Sequence, residues 1–188
     1  MKIIPNKIIN IQKTSYASSP NFVKMEQIPD VSELGIDISS RAEFPINVLS
    51  NFANTNFELD GVRVASMEGF LQSLKTSDRE LQARICSLDG LRAKGMGKKL
   101  NKIRNYDFKH LFWNGKRYNR ESKEYQDLLN RAYKARYDAD DDFRFALEYT
   151  ENRILKHSLG GKDPKRTLLT ENEYTKILTK LRDCKGLI

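Results

Sequence analysis

Glu68 is the side chain in this sequence best placed to do chemistry. It stands in Ser66-Met67-Glu68-Gly69-Phe70, where Ser66 caps a helix expected over Met67 to Lys75 and the carboxylate falls in the first turn. The small Gly69 beside it leaves the approach open. A carboxylate so placed can stabilise a developing positive charge or act as a general base. Gln72 and Lys75, further along the same helix, add an amide and an ammonium group. Upstream, Leu49-Ser50-Asn51-Phe52 reads as a short loop with polar groups between apolar anchors. Between the two, Phe57 to Val64 reads as a hairpin, with Asp60-Gly61 supplying the positive φ angles of a tight primed turn. Loop, hairpin and helix start together make a compact pocket around one carboxylate.

The elements that must hold this pocket are mostly helical. Ser77-Asp78-Arg79-Glu80 reads as a capping box that starts a helix to about Ser87, and Gly90 to Ile103 as another helix. Gly95 and Gly97 inside it point to a close helix contact or a backbone near a ligand. Phe108 to Tyr118 reads as aromatic and irregular, with a turn at Asn114-Gly115. Tyr125, Leu128, Leu129, Ala132 and Tyr133 form a helical stripe within Ser122 to Tyr137. Asp140 to Glu148 is a further helix, Ile154 to His157 a short extended piece, and Leu159 to Arg166 a Gly/Pro loop. Thr170-Glu171-Asn172-Glu173 is a second capping box, opening a terminal helix to about Arg182. The expectation is an α+β fold, mainly helical, with a small hairpin or sheet: one domain over 37–188 and an irregular N-terminal extension over 1–36.

Composition narrows the function classes. A chain of 188 residues is long enough to bury a core within one domain. No apolar run approaches membrane-spanning length, and MKIIPNKIINIQK is too polar and interrupted for a signal peptide. A soluble, cytoplasmic protein is expected. Cys86 and Cys184 are the only cysteines, reduced rather than bridged in that setting. His110 and His157, the only histidines, have no metal-ligand spacing, so neither a metal nor a cofactor is expected. The net charge is +8 and the pI near 9.4. Arg92, Lys94, Lys98, Lys99, Lys102, Arg104, Lys109 and Lys116 face only Asp107 within residues 92–116. Such a field attracts nucleic acid or pyrophosphate, and equally keeps a protein in solution. The oligomeric state stays open.

Leu49-Ser50-Asn51-Phe52, Phe57, Asp60-Gly61, Ser66, Glu68, Gln72 and Lys75, in this order, resemble the NADAR (YbiA-like) family. Gln82, Cys86, Gly90, Ala93-Lys94 and Gly97 resemble a further family stretch, and Lys134 resembles the lysine of a later Lys-Phe element, with Ala135 in place of the aromatic. The resemblance covers roughly residues 38–182. The sequence departs from the family at Leu159-Gly160-Gly161-Lys162-Asp163, where the family's Trp-Gly pair is absent, which marks a divergent branch. The resemblance implies a metal-independent N-glycosidase with a YbiA-like fold. Its substrate would be ADP-ribosylated guanine in DNA or RNA, or an ADP-ribosyl nucleoside. Two other readings stand beside it: hydrolysis of a phosphoribosyl-amine intermediate of riboflavin synthesis, and a non-catalytic module binding ADP-ribose or an NAD derivative.

Breaking a ribose–nitrogen bond passes through an oxocarbenium-like sugar, so Glu68 is expected to steady that charge or activate water; otherwise it completes a helix start. Asn51 would bind a ribose hydroxyl or base edge, or make a loop Asx contact. Ser50 and Gln72 are further polar candidates, and Phe52 is a stacking wall or a core residue. Arg41, Lys75 and Lys134 would hold phosphates or form salt bridges. Trp113 would stack on a base or fill the core. Asp163 is a possible second carboxylate on a loop, and His157 an acid or base, or a structural histidine.

Overall fold

The computed structural model describes residues 35–104 and 108–187. Most of the expected extension, residues 1–34, lies outside them, as does the aromatic Tyr106.

Local chemistry sets two hairpins. β2 (Phe57–Leu59) and β3 (Val62–Val64) pair antiparallel around Asp60 and Gly61, whose φ angles are 50° and 79°. Phe57, Leu59 and Val64 turn inward to the core. The second hairpin joins β4 (His110–Trp113) to β5 (Lys116–Asn119), and it corrects the irregular reading of 108–118. Asn114 and Gly115, with φ of 47° and 84°, make the same kind of primed turn as Asp60-Gly61. His110-Leu111-Phe112-Trp113 reads as apolar throughout, which hides its alternation; in the fold Leu111 and Trp113 are buried and their neighbours only partly so. Trp113 locks the hairpins together. Its indole N–H donates to Asp60 Oδ2 at 2.8 Å, and its ring meets Phe70 edge-on. A third pairing is parallel and long-range: β1 (Ile36–Asp37) lies beside β6 (Leu155–Lys156).

Six helices surround these ribbons among the described residues. α1 (Met67–Ser73) is buried along its whole length and is capped by Ser66, whose Oγ accepts from Gly69 N. α2 (Arg79–Cys86) is capped by Asp78 rather than Ser77, because the Asp78 carboxylate accepts from both Glu80 N and Leu81 N. α3 (Gly90–Arg104) follows. α4 (Lys123–Ala139) turns the expected stripe inward and adds Arg136 and Tyr137 to it. α5 (Asp141–Tyr149) starts at the cap Asp140. α6 (Glu171–Asp183) opens with the reciprocal Thr170–Glu173 capping box and buries Tyr174, Ile177, Leu178 and Leu181. The architecture is α+β and mainly helical, with three two-stranded sheets.

Glu173 ties α6 to the second hairpin. Arg120, nearly inaccessible, donates to both of its carboxylate oxygens, at 2.8 and 2.6 Å, and Gln126 adds a third bond. Burial pushes the Glu173 carboxyl up. The Arg120 guanidinium, the Thr170 N–H and the Gln126 amide outweigh that and hold it down, at about 2. A depressed carboxyl contributes stability above its unfolded value and loses it as pH falls through the folded one. Stability to urea should therefore drop as pH is lowered from about 4.3 towards 2. Glu173→Gln should flatten that part of the profile, and an unchanged slope in the variant would assign the acid sensitivity elsewhere.

Candidate active site

The loop before the first hairpin has its backbone held from behind. A 3-10 turn at Ile46–Leu49 leads into Ser50, Asn51 and Phe52. Arg136, on the inner face of α4, donates to the Val48 carbonyl at 2.7 Å and the Ser50 carbonyl at 3.3 Å. Between them, the Tyr174 hydroxyl of α6 donates to the Leu49 carbonyl. Tyr133, one turn from Arg136, donates its hydroxyl to Asn51 Oδ1 at 2.6 Å. That bond fixes the orientation of the Asn51 amide and leaves its NH2 group as the donor for a ligand. Burial raises the hydroxyl pKa of Tyr133 and Tyr174 alike, so both remain donors at neutral pH.

Glu68 is joined to this loop through its own backbone, since its N–H donates to the Asn51 carbonyl at 2.8 Å. Its side chain is buried, and Oε1 takes two partners. Gln72 Nε2 donates at 2.8 Å, one turn along α1, and Lys94 Nζ from α3 lies at 3.1 Å. Oε2 has no protein donor among the described residues. Lys75 lies behind the pair, 3% exposed, donating to the Gly97 carbonyl and lying over the Phe108 ring. Burial, and then the charge of Lys94, lower its ammonium to about 8, with Glu68 offsetting part of the effect.

Two glycines let α3 reach these groups. A Cβ on Gly90 would fall 2.5 Å from Phe52 Cα, and one on Gly97 would fall 1.6 Å from Gln72 Oε1. A Cβ on Gly95 would meet nothing within 4 Å. Of the two glycines singled out in this helix, only Gly97 marks a close contact. Gln72 Oε1 is buried there without a donor among the described residues.

The opening is a cavity of about 210 Å3. Ser50, Asn51, Phe52, Glu68 and Gln72, all expected from sequence, line it together. Five other candidates do not line it. Arg41 is exposed beside it, one residue past the lining Ser40. Lys75 is sealed beneath it. Trp113 is core and is bound to Asp60. Lys134 pairs with Asp138 at 2.7 Å on the outside of α4. Asp163 is exposed and caps its own loop by accepting from Lys165 N. The lining also includes Lys94, His157, Gly160, Gly161 and Tyr174. The one sequence signal for the supporting groups was a charge on an apolar stripe. Arg136 shares a face with Leu129, Ala132 and Tyr133, and a buried arginine needs partners. No three His, Cys, Asp or Glu side chains gather as a metal site would require among the described residues.

Residues 43–183 match the family described as Bacteriophage protein GP30.3, which is of the NADAR type. An uncharacterised 17.1 kDa protein from the Gp30–rIII intergenic region of Enterobacteria phage T4 is 37% identical over 149 residues, 79% of this chain and 97% of that protein. The NMR structure of the E. coli protein YbiA superposes with a TM-score of 0.54 at 18% identity, covering 84% of this chain and 90% of its own. That likeness is one of fold.

The glycine contacts separate two substitutions in one helix. Gly95→Ala should stabilise the protein by roughly 0.5–1 kcal/mol, the ordinary helix gain of alanine over glycine. Gly97→Ala should destabilise it by about 1–3 kcal/mol, because Gln72 must leave its place beside Glu68. Urea unfolding of both variants checks this, and equal effects would remove the close contact.

Proposed function

We propose that this chain, which belongs to the Bacteriophage protein GP30.3 family, is an N-glycosidase that hydrolyses a ribose–base bond and releases ADP-ribose from ADP-ribosylated guanine in nucleic acid or a nucleoside. The observation that carries the reading is Glu68: a buried carboxylate with Oε1 fixed by Gln72 and Lys94 and Oε2 left without a protein partner.

Heterolysis of the bond leaves positive charge at the anomeric carbon and an electron pair on the departing nitrogen. A carboxylate oxygen about 4 Å from that carbon is worth about 4 kcal/mol at the dielectric typical of such sites. That is on the order of a thousandfold in rate. The benefit is specific to the transition state because the sugar is neutral before the bond stretches. Gln72 and Lys94 hold the carboxylate in place beforehand, so little reorganisation is needed as charge develops. Water enters on the ribosyl cation and passes a proton to Glu68.

The other lining groups sort by chemistry. Ser50 and the Asn51 NH2 group suit ribose hydroxyls, and Phe52 gives a flat apolar wall for a base. Lys94, with its side chain about half exposed, suits the first phosphate, and Arg41 on the rim suits the second. The cavity is small beside the roughly 300–1,000 Å3 of typical ligand pockets. It therefore fits the sugar at the bond being cut, with phosphates and base towards the open side. On α3, Arg92, Lys98, Lys99 and Lys102 are exposed and no acidic residue interrupts them, which supports a polyanionic substrate. No helix among the described residues is long and apolar enough to cross a membrane.

The test is release of ADP-ribose from a guanine-ADP-ribosylated DNA oligonucleotide, followed by mass. Wild type should release it, and Glu68→Gln should be slower by about a thousandfold with an unchanged melting temperature. Full turnover by the variant would remove Glu68 from the mechanism, and no release by folded wild type would remove the reaction.

A further inference from the structure

We infer that His157 is the general acid of this site, delivering a proton from Nε2 to the nitrogen that leaves the ribose. The inference rests on the glycosidase reading and adds the group that the reaction lacks. Glu68 serves the sugar side of the bond, and the leaving nitrogen still needs a proton.

The imidazole is held on several sides. Nδ1 lies 2.7 Å from the Ile38 carbonyl oxygen, which can only accept, so Nδ1 carries a proton in both charge states of the ring. The ring nitrogen open to a ligand is therefore Nε2. It has no protein partner among the described residues, and the residue is partly exposed and lines the Glu68 cavity. The ring stands edge-on to Tyr174, with centroids 5.2 Å apart. Gly160, another lining residue, packs on the same ring, and a Cβ there would come 2.8 Å from Cδ2. The backbone is held as well. Gly160 N donates to the His157 carbonyl at 2.7 Å, and Ser158 N donates to Asp37 at 2.8 Å. A histidine that merely filled space would not need its tautomer fixed and its other nitrogen left open.

The charged and titratable groups around the ring come from several elements. Asp37 on β1 accepts from Ser158, the residue after the ring, and those bonds first, then the neighbouring charges, hold its carboxyl down. Lys156 precedes the ring on β6. Glu171 on α6 accepts weakly from His157 N at 3.4 Å. Tyr174 is neutral, its hydroxyl turned to Leu49. Glu68 and Lys94 line the same cavity. The Ile38 carbonyl bond strengthens when the ring is cationic, which suits a proton donor.

The step balances. The bond between the anomeric carbon and the base nitrogen breaks, and its electron pair goes to the nitrogen. That nitrogen takes the Nε2 proton, leaving neutral imidazole. Water bonds to the anomeric carbon and gives its proton to Glu68. Solvent then reprotonates His157 and deprotonates Glu68, so one water is consumed for each ADP-ribose released and guanine restored.

His157→Asn tests this, because the asparagine amide can occupy the Nδ1 position and keep the bond to Ile38. The variant should retain the wild-type melting temperature and affinity for ADP-ribose. Its kcat on the modified oligonucleotide should fall by about 100-fold or more, with KM little changed. The wild-type fall in kcat with rising pH should be lost in the variant. A variant as active as wild type, or a slower one with the same pH profile, would overturn the assignment while leaving the glycosidase intact. Absence of turnover by wild type removes both. Nitrogen NMR of the full chain adds a readout free of turnover. On titration Nε2 should change and Nδ1 should stay protonated, and ADP-ribose should shift Nε2. A titrating Nδ1, or an Nε2 signal unmoved by bound ADP-ribose, would overturn it.

Discussion

The structure depends on how the backbone at residues 48–51 is kept in place. Three successive carbonyls, those of Val48, Leu49 and Ser50, are met by side chains from α4 and α6, and the third also accepts from Ala53 N at 3.1 Å. Arg136 takes the first and third and Tyr174 the second. An unmade bond to a buried carbonyl costs about 1–3 kcal/mol, and a guanidinium buried without partners costs several more. Each side therefore requires the other. Arg136 completes its set with Asp140 and the face of Phe143, at 4.1 Å. This explains why α4 carries a charge on its apolar face and why Asp140, the cap of α5, closes the same network.

The arrangement sets the site at one remove. Because the loop is pinned from behind, Ser50, Asn51 and Phe52 present their other sides to the cavity. The Asn51 carbonyl then receives Glu68 N, so the loop also fixes where α1 begins. From the opposite side, α3 is brought in at two points where only glycine fits, Gly90 against Phe52 and Gly97 against Gln72. Lys94 lies between them and reaches Glu68. Preorganisation here comes from backbone contacts of α1, α3 and the loop, and the charged tips follow.

Charge is concentrated at a cost. Lys75 and Glu68 are buried with Lys94 half exposed beside Glu68, and burial first, then the charge of Lys94, depresses the Lys75 ammonium. Arg120, also buried, is matched by Glu173.

Much of this was legible before any fold was known, for local reasons. Asp60-Gly61 determined the first hairpin because few other residue pairs adopt two positive φ angles cheaply. Ser66 and Thr170 determined helix starts, and the stripe at Tyr125 to Tyr133 determined which side of α4 is buried. The segment from Ser50 to Gln72 determined five lining residues, since loop, hairpin and helix lie close along the chain. Only tertiary structure decided the rest. Tyr133 and Arg136, rather than their neighbour Lys134, serve the site, because at 100° per residue Lys134 falls on the outer face. Lys94 reaches Glu68, and His157 lines the same cavity, from elements farther along the chain. Trp113 and Asp163 went to the core and to a loop cap. Local sequence specifies turns, caps and faces, whereas which distant side chains meet depends on how those faces pack, and packing is a property of the whole chain.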